Sequence, residues 1–239
     1  MTSSEKVRTV RPTMLRTFSR SLLIIGLVLL AGCGTAPTTY PEFSSVEEMT
    51  RAAEKGNPAA MFEMGSHLLA GNEGTKPDLA RARDWFERAA AKGEPRAEFN
   101  LGVLAHNGEG GMPKDFAVAR QWFERAAAKD DMRSIFNLGA MEYAGEGGEK
   151  NLERARELFT KAAKGGVPEA MFNLGLMAAK GQGGEMDVVT AYAWFQLANE
   201  RGNATAGEAL RAVEKSLKPD ELSMLKKASN DIKDSLLAK

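Results

Sequence analysis

Residues 93–129 read GEPRAEFNLGVLAHNGEGGMPKDFAVARQWFERAAAK. A turn signal, Gly93-Glu94-Pro95, opens the stretch, and an apolar-periodic run through Phe99, Leu101 and Leu104 follows. The run breaks at Gly108, Gly110, Gly111 and Pro113, then resumes through Trp122, Phe123 and Ala126. Apolar residues at helical spacing on both sides of a glycine-rich break predict two helices joined by a loop. The length is that of one unit of a helical repeat protein.

The unit recurs. Its first helix carries a glycine at Gly65, Gly102, Gly139 and Gly175, at spacings of 37, 37 and 36. Its second helix carries Trp85-Phe86, Trp122-Phe123, Leu158-Phe159 and Trp194-Phe195, spaced 37, 36 and 36, and Ala89, Ala126, Ala162 and Ala198 keep step. Two markers drifting by the same single residue identify a true repeat. A helix-interior glycine costs ~1 kcal/mol relative to alanine. Its recurrence predicts close approach of the partner helix's backbone, with Ala82, Ala119, Ala155 and Ala191 as the small residues opposite. The Trp-Phe or Leu-Phe pairs are expected to fill the space between successive units. Each unit alone leaves an apolar face exposed, so stability comes from stacking neighbours.

The pattern resembles the Sel-1-like repeat, a relative of the tetratricopeptide repeat with a longer inter-helix loop. The matching residues are Ala97, Phe99-Asn100-Leu101-Gly102, Asn107-Gly108-Glu109-Gly110, Lys114-Asp115, Ala119, Trp122-Phe123 and Ala126-Ala127. The first unit departs, with Glu63 where the others have Asn100, Asn137 and Asn173, and the first two loops carry an extra residue. The resemblance implies an all-α fold, a right-handed alpha-alpha superhelical solenoid of helix pairs over residues 45–217. A half-unit at 45–55 is followed by repeats at about 56–92, 93–129, 130–165 and 166–201, then a capping helix at 202–217. The Ser44/Ser45 cap with Glu47 and Glu48 behind it starts the first helix. An amphipathic helix is expected over 218–239, opened by Pro219, with Leu222, Leu225, Ala228, Ile232 and Leu236 on one face. Covering the open end of the solenoid and docking a partner are its two readings.

The first 32 residues read as an address. They hold Lys6, Arg8, Arg11, Arg16 and Arg20 against Glu5 alone, then the apolar run LLIIGLVLLA at 22–31. That run is about half the ~20 residues a membrane-spanning helix needs and matches the apolar segment of a signal peptide. It ends at Leu30-Ala31-Gly32-Cys33, which resembles the lipobox of bacterial lipoproteins. The resemblance implies cleavage before Cys33, the only cysteine of the chain, and diacylglycerylation of its thiol. The alternatives are an ordinary cleaved signal peptide and an uncleaved anchor. Gly34 follows the cysteine where an Asp would mark inner-membrane retention in enteric bacteria, so the expectation is the periplasmic face of the outer membrane. Residues 33–44, rich in proline and threonine, form a linker reaching at most about 35 Å.

Beyond residue 32 the chain has 27 basic and 31 acidic residues. That balance disfavours nucleic acid, which calls for a basic stripe. No catalytic, metal or cofactor motif is legible. His67 and His106 sit at non-equivalent positions, so a metal site is not expected, and surface or groove placement is. The GEGG and GQGG loops at 145–148 and 181–184 lack the preceding strand and G-K-[ST] of a phosphate cradle, and read as turns.

What remains is a binding surface for a protein or peptide. In tetratricopeptide-like solenoids the first helices line the concave face, which implies groove candidates at Arg96, His106, Arg133, Tyr143, Asn100, Asn137 and Asn173. The asparagines recur in register, so a structural hydrogen bond competes with ligand contact. Arg96, His106, Arg133 and Tyr143 depart from the repeat and are the better specificity candidates. The expectation is a non-catalytic, membrane-anchored scaffold, in envelope or exopolysaccharide processes by resemblance. The rival is a cell-envelope hydrolase or a β-lactam- or peptidoglycan-binding protein, against which the lack of paired cysteines within the repeats counts.

Overall fold

The computed structural model describes residues 43–71 and 76–237. Leu30, Ala31, Gly32 and Cys33 lie outside them, as does nearly all of the linker. Eleven α-helices and no strand occur among the described residues. In chain order they are α1 (Val46–Glu54), α2 (Pro58–Ala70), α3 (Leu79–Ala91), α4 (Pro95–Asn107), α5 (Phe116–Ala127) and α6 (Met132–Ala144). Then come α7 (Leu152–Lys164), α8 (Pro168–Lys180), α9 (Val188–Glu200), α10 (Ala204–Ser216) and α11 (Pro219–Leu236). Among the described residues no helix is long and apolar enough to cross a membrane.

Short polar side chains start these helices by satisfying N–H groups that have no partner within the helix. Ser45 caps α1 through the Glu48 amide, and Asn57 caps α2 through that of Ala60. Asp78, Asp115, Asn151 and Asp187 cap all four second helices. Proline at 58, 95, 168 and 219 supplies a first-turn residue whose missing N–H costs nothing there.

The described residues fall into two compact units, 43–149 and 150–237. In the first, α1 packs on α2, and the hairpins α2/α3 and α4/α5 stack in order, with α6 on α5. Its core holds Met49, Met61, Met64, Phe86, Leu101 and Leu104. In the second, α7 packs on α8, α8 pairs with α9, and α10 and α11 both rest on α9. Helix α11 buries Leu225 and Ser229, and ties itself to α9 through Lys233–Glu200 at 2.6 Å and Gln196–Asn230 at 3.3 Å. Each unit is a solenoid of stacked helix pairs.

At Gly65, Gly102 and Gly175 the nearest neighbour is not an alanine backbone but the phenylalanine ring of the same hairpin. A Cβ on Gly65 would sit 2.5 Å from the Phe86 ring, on Gly102 2.6 Å from Phe123, and on Gly175 2.6 Å from Phe195. The ring occupies the space a side chain would need and meets a second ring from the first helix. Phe62–Phe86 and Phe99–Phe123 centroids are 5.9 Å apart, and Phe172–Phe195 5.6 Å. The phenylalanine of each Trp-Phe pair therefore belongs inside the repeat. Trp85 and Trp122 are half-buried against the core, under the guanidiniums of Arg88 and Arg125 at 4.8 and 4.5 Å.

Candidate functional site

The loops between paired helices act as joints. Gly147, at φ +70°, brings the loop so close to α5 that a Cβ there would lie 2.8 Å from the Phe116 carbonyl. Gly110 and Gly183 occupy the same place against Leu79 and Leu152. Over each joint an arginine of the preceding second helix reaches a loop carbonyl. Arg83 donates to Gly110 at 2.9 Å, Arg120 to Glu146 at 3.1 Å and Arg156 to Gly183 at 3.1 Å. The glycine loops thus serve the stacking of repeats. Tyr192 stands where a fourth arginine would, and its hydroxyl donates to Glu214 of α10 at 2.9 Å.

Along the first helices, Arg96 stacks 4.3 Å over the Phe62 ring of the preceding repeat. Its guanidinium meets Glu94 at 2.8 Å and Glu63 at 3.2 Å. Glu63, the first repeat's departure from Asn, and Arg96 are therefore partners. Burial pushes the Glu94 carboxyl up, but the hydrogen bonds and charge of Arg96, with Lys129 behind, prevail and hold it below the usual carboxylate value. Arg133 repeats the stack, 4.3 Å over Phe99, with Asp131 at 3.0 Å and a side chain 45% exposed. Arg96 and Arg133 are thus one device used at two successive junctions, not independent departures.

His106, in the last turn of α4, places Nε2 2.8 Å from Glu146 Oε2, and its ring lies 5.0 Å from that of Phe116. Tyr143, one repeat on from His106, is half-buried in α6. Asn100, Asn137 and Asn173 are buried, at 8%, 7% and 0% exposure. Arg96, Asn100 and His106 lie on α4, Arg133, Asn137 and Tyr143 on α6, and Asn173 on α8 of the second unit.

Repeat comparison alone could have found one further residue. Glu98 is 1% exposed, at a position where the other repeats carry Met61, Ile135 and Met171. It accepts from Lys129 Nζ at 2.8 Å and faces Arg125 at 3.1 Å, and Lys129 also donates to the Gly93 carbonyl at 3.0 Å. A paired buried carboxylate of this kind fixes geometry more than it adds stability. In the second unit, Glu153, Arg156, Glu157, Thr160, Lys161, Lys164 and Gly183 line a shallow depression of mixed charge. Among the described residues, no group of three or more His, Cys, Asp or Glu side chains is placed to hold a metal.

A family model of the Sel1 repeat matches residues 58–94, 95–131, 133–167 and 168–203. The chain belongs to the Sel1 repeat family. Sel1 repeats build helical scaffolds that typically mediate protein–protein interaction and are generally non-catalytic. Two solved Sel1-type structures are similar. A Sel1 repeat protein from Oxalobacter formigenes is 28% identical, with a TM-score of 0.64, over 78% of this chain and 84% of that one. A protective antigen of uropathogenic Escherichia coli displaying an SLR fold is 27% identical at a TM-score of 0.64. There the match covers 79% of this chain and 49% of the antigen, so the chain spans about half the antigen's length. An immunity protein from Pseudomonas aeruginosa shares the fold alone, at 15% identity, a TM-score of 0.52 and coverage of 99% and 88%. Comparison with curated proteins gave no match.

Proposed function

We propose that this Sel1 protein is a lipid-anchored scaffold of the bacterial cell envelope that holds a protein or peptide partner along its first helices. The observation that carries the reading is the row at the repeat junctions. Arg96 and Arg133 are oriented cations, each fixed over an aromatic ring and an acid. Fixed polar groups on a rigid scaffold bind with little loss of side-chain freedom. The anchor rests on the basic, apolar, Leu-Ala-Gly-Cys order that ends at Cys33, and the membrane it implies is the outer one, facing the periplasm.

Site-specific photo-cross-linking in intact cells tests the binding face. Probes at Arg133 and Tyr143 should capture one discrete partner, whereas a probe at Arg81, exposed on a second helix, should not. Equal capture from both faces overturns the assignment. Turnover of β-lactam or peptidoglycan by the purified protein, abolished by one point change, overturns the scaffold reading itself. For the anchor, metabolic lipid labelling should be lost in Cys33→Ser, and unchanged labelling would refute it.

A further inference from the structure

The first two repeat junctions use one device, but only the first of them is complete. At both, an arginine in the first turn of a first helix stacks 4.3 Å over a phenylalanine of the preceding repeat. At both, the acid two residues before it in the chain holds its guanidinium, Glu94 for Arg96 and Asp131 for Arg133. At the first junction a second carboxylate joins: Glu63 of α2 accepts from Arg96 Nη1 at 3.2 Å. The residue of α4 in register with Glu63 is Asn100, which is neutral and one methylene shorter.

The donors are shared out differently as a result. A guanidinium carries five N–H donors in a flat fork. On Arg96, Glu94 takes Nε and Nη2 at 2.8 and 3.3 Å, and Glu63 takes Nη1. On Arg133, Asp131 takes Nη2 at 3.0 Å, and Nε and Nη1 donate to no other group among the described residues. The Asn100 side chain likewise makes no hydrogen bond among them. The ring beneath and the acid beside Arg133 fix its orientation and leave one edge of the fork in water. Asp131 does not close that edge to an anion. On Arg96, two carboxylates lie on one guanidinium.

We propose that the open edge of Arg133 is a carboxylate-binding subsite, taking from a peptide partner the group that Glu63 supplies to Arg96. Glu63 serves as an internal copy of the ligand and shows where such a group sits on this device. Hydrogen bonds between a guanidinium and a carboxylate are short and directional, so the subsite selects an acid over its amide. Asn100, at the position from which Glu63 reaches its arginine, puts a neutral amide where a competing acid would stand. The subsite deepens the scaffold reading and rests on it, by naming the chemistry that this part of the row selects.

Nuclear magnetic resonance of the arginine Nε–Hε groups reads each guanidinium separately in the purified protein. Three probes suffice: a blocked tripeptide with a central glutamate, an acetylated trialanine with a free C-terminus, and the glutamine version of the first. The Arg133 signal should move about threefold more per added peptide than that of Arg96, with one or both acids and not with the glutamine peptide. Whichever acid acts tells a side-chain carboxylate from a terminal one. Asn100→Glu should silence Arg133, and Glu63→Asn should open Arg96 to the same peptide, with unchanged circular dichroism reporting that both variants fold. Equal responses at the two arginines of the wild type, an equal response to the glutamine peptide, or no effect of either variant overturns the subsite. Photo-cross-linking from Tyr143 separates this outcome from failure of the scaffold. Capture undiminished by Asn100→Glu overturns the subsite and keeps the scaffold, whereas no capture in the wild type overturns the scaffold reading.

Discussion

Gly102 shows how one missing methyl sets the spacing of a repeat. The Phe123 ring lies 2.6 Å from where its Cβ would be, closer than any carbon contact tolerates. Alanine would gain about 1 kcal/mol of helix propensity and would lose more by forcing the ring out of its seat. Gly102→Ala should therefore destabilise the protein by about 1–3 kcal/mol in urea unfolding, and Phe123→Leu in the same chain should recover part of that. A Gly102→Ala protein as stable as wild type would mean that the ring moves freely. The sequence announces such a glycine by its period but not what it faces. Alanine and phenylalanine recur with equal fidelity on the second helix, and only the rotation of that helix chooses between them. Glu63 and Arg96 carry the same lesson. Each is visible as a departure from the repeat, but their pairing needs the 33-residue separation closed by the stack.

Among elements, α9 departs from its counterparts in a legible way. Arg83, Arg120 and Arg156 staple loops, while α9 offers Tyr192, 1% exposed, to Glu214. Burial and the bonded carboxylate both push the phenol well above its usual value of 10.0. A raised folded-state value means this contribution is whole below about pH 10 and is lost as the pH rises beyond it. Ultraviolet phenolate titration should show one tyrosine resisting ionisation until the protein unfolds, and Tyr192→Phe should remove that late component. A component persisting in the variant would assign it elsewhere. Glu214 moves the other way. The Lys226 hydrogen bond outweighs burial and, with Tyr192, lowers it, so its share is present above the ordinary carboxylate range and fades as acid protonates it. The substitution of tyrosine for arginine is plain in the repeat register, but its meaning is not. The α10 acid that receives it belongs to no repeat marker.

For the molecule as a whole, stability is a sum over neighbours, and the ends matter most. Helix α11 lies on α9 and buries Leu225, so removing residues 219–239 should strip an apolar strip from the second unit. The truncated protein should unfold at lower urea with a broadened transition, and should self-associate on size exclusion. A monomer of unchanged midpoint would make α11 an accessory rather than a cover. Repeat number and helix order were readable from periodicity, and the start of α1 from Ser45, because those features are local. The joints were not, because an arginine and a carbonyl 26 or 27 residues away leave no periodic trace beyond the arginine itself. Those joints share one plug and one socket, whereas Tyr192 fits only the end. A gene encoding this chain can therefore gain or lose an interior repeat by unequal crossing-over and still yield matching connections. A duplication that copied α9 inward would set a tyrosine against a loop expecting a guanidinium. Growth of such a protein is permitted from the middle and penalised at its tail.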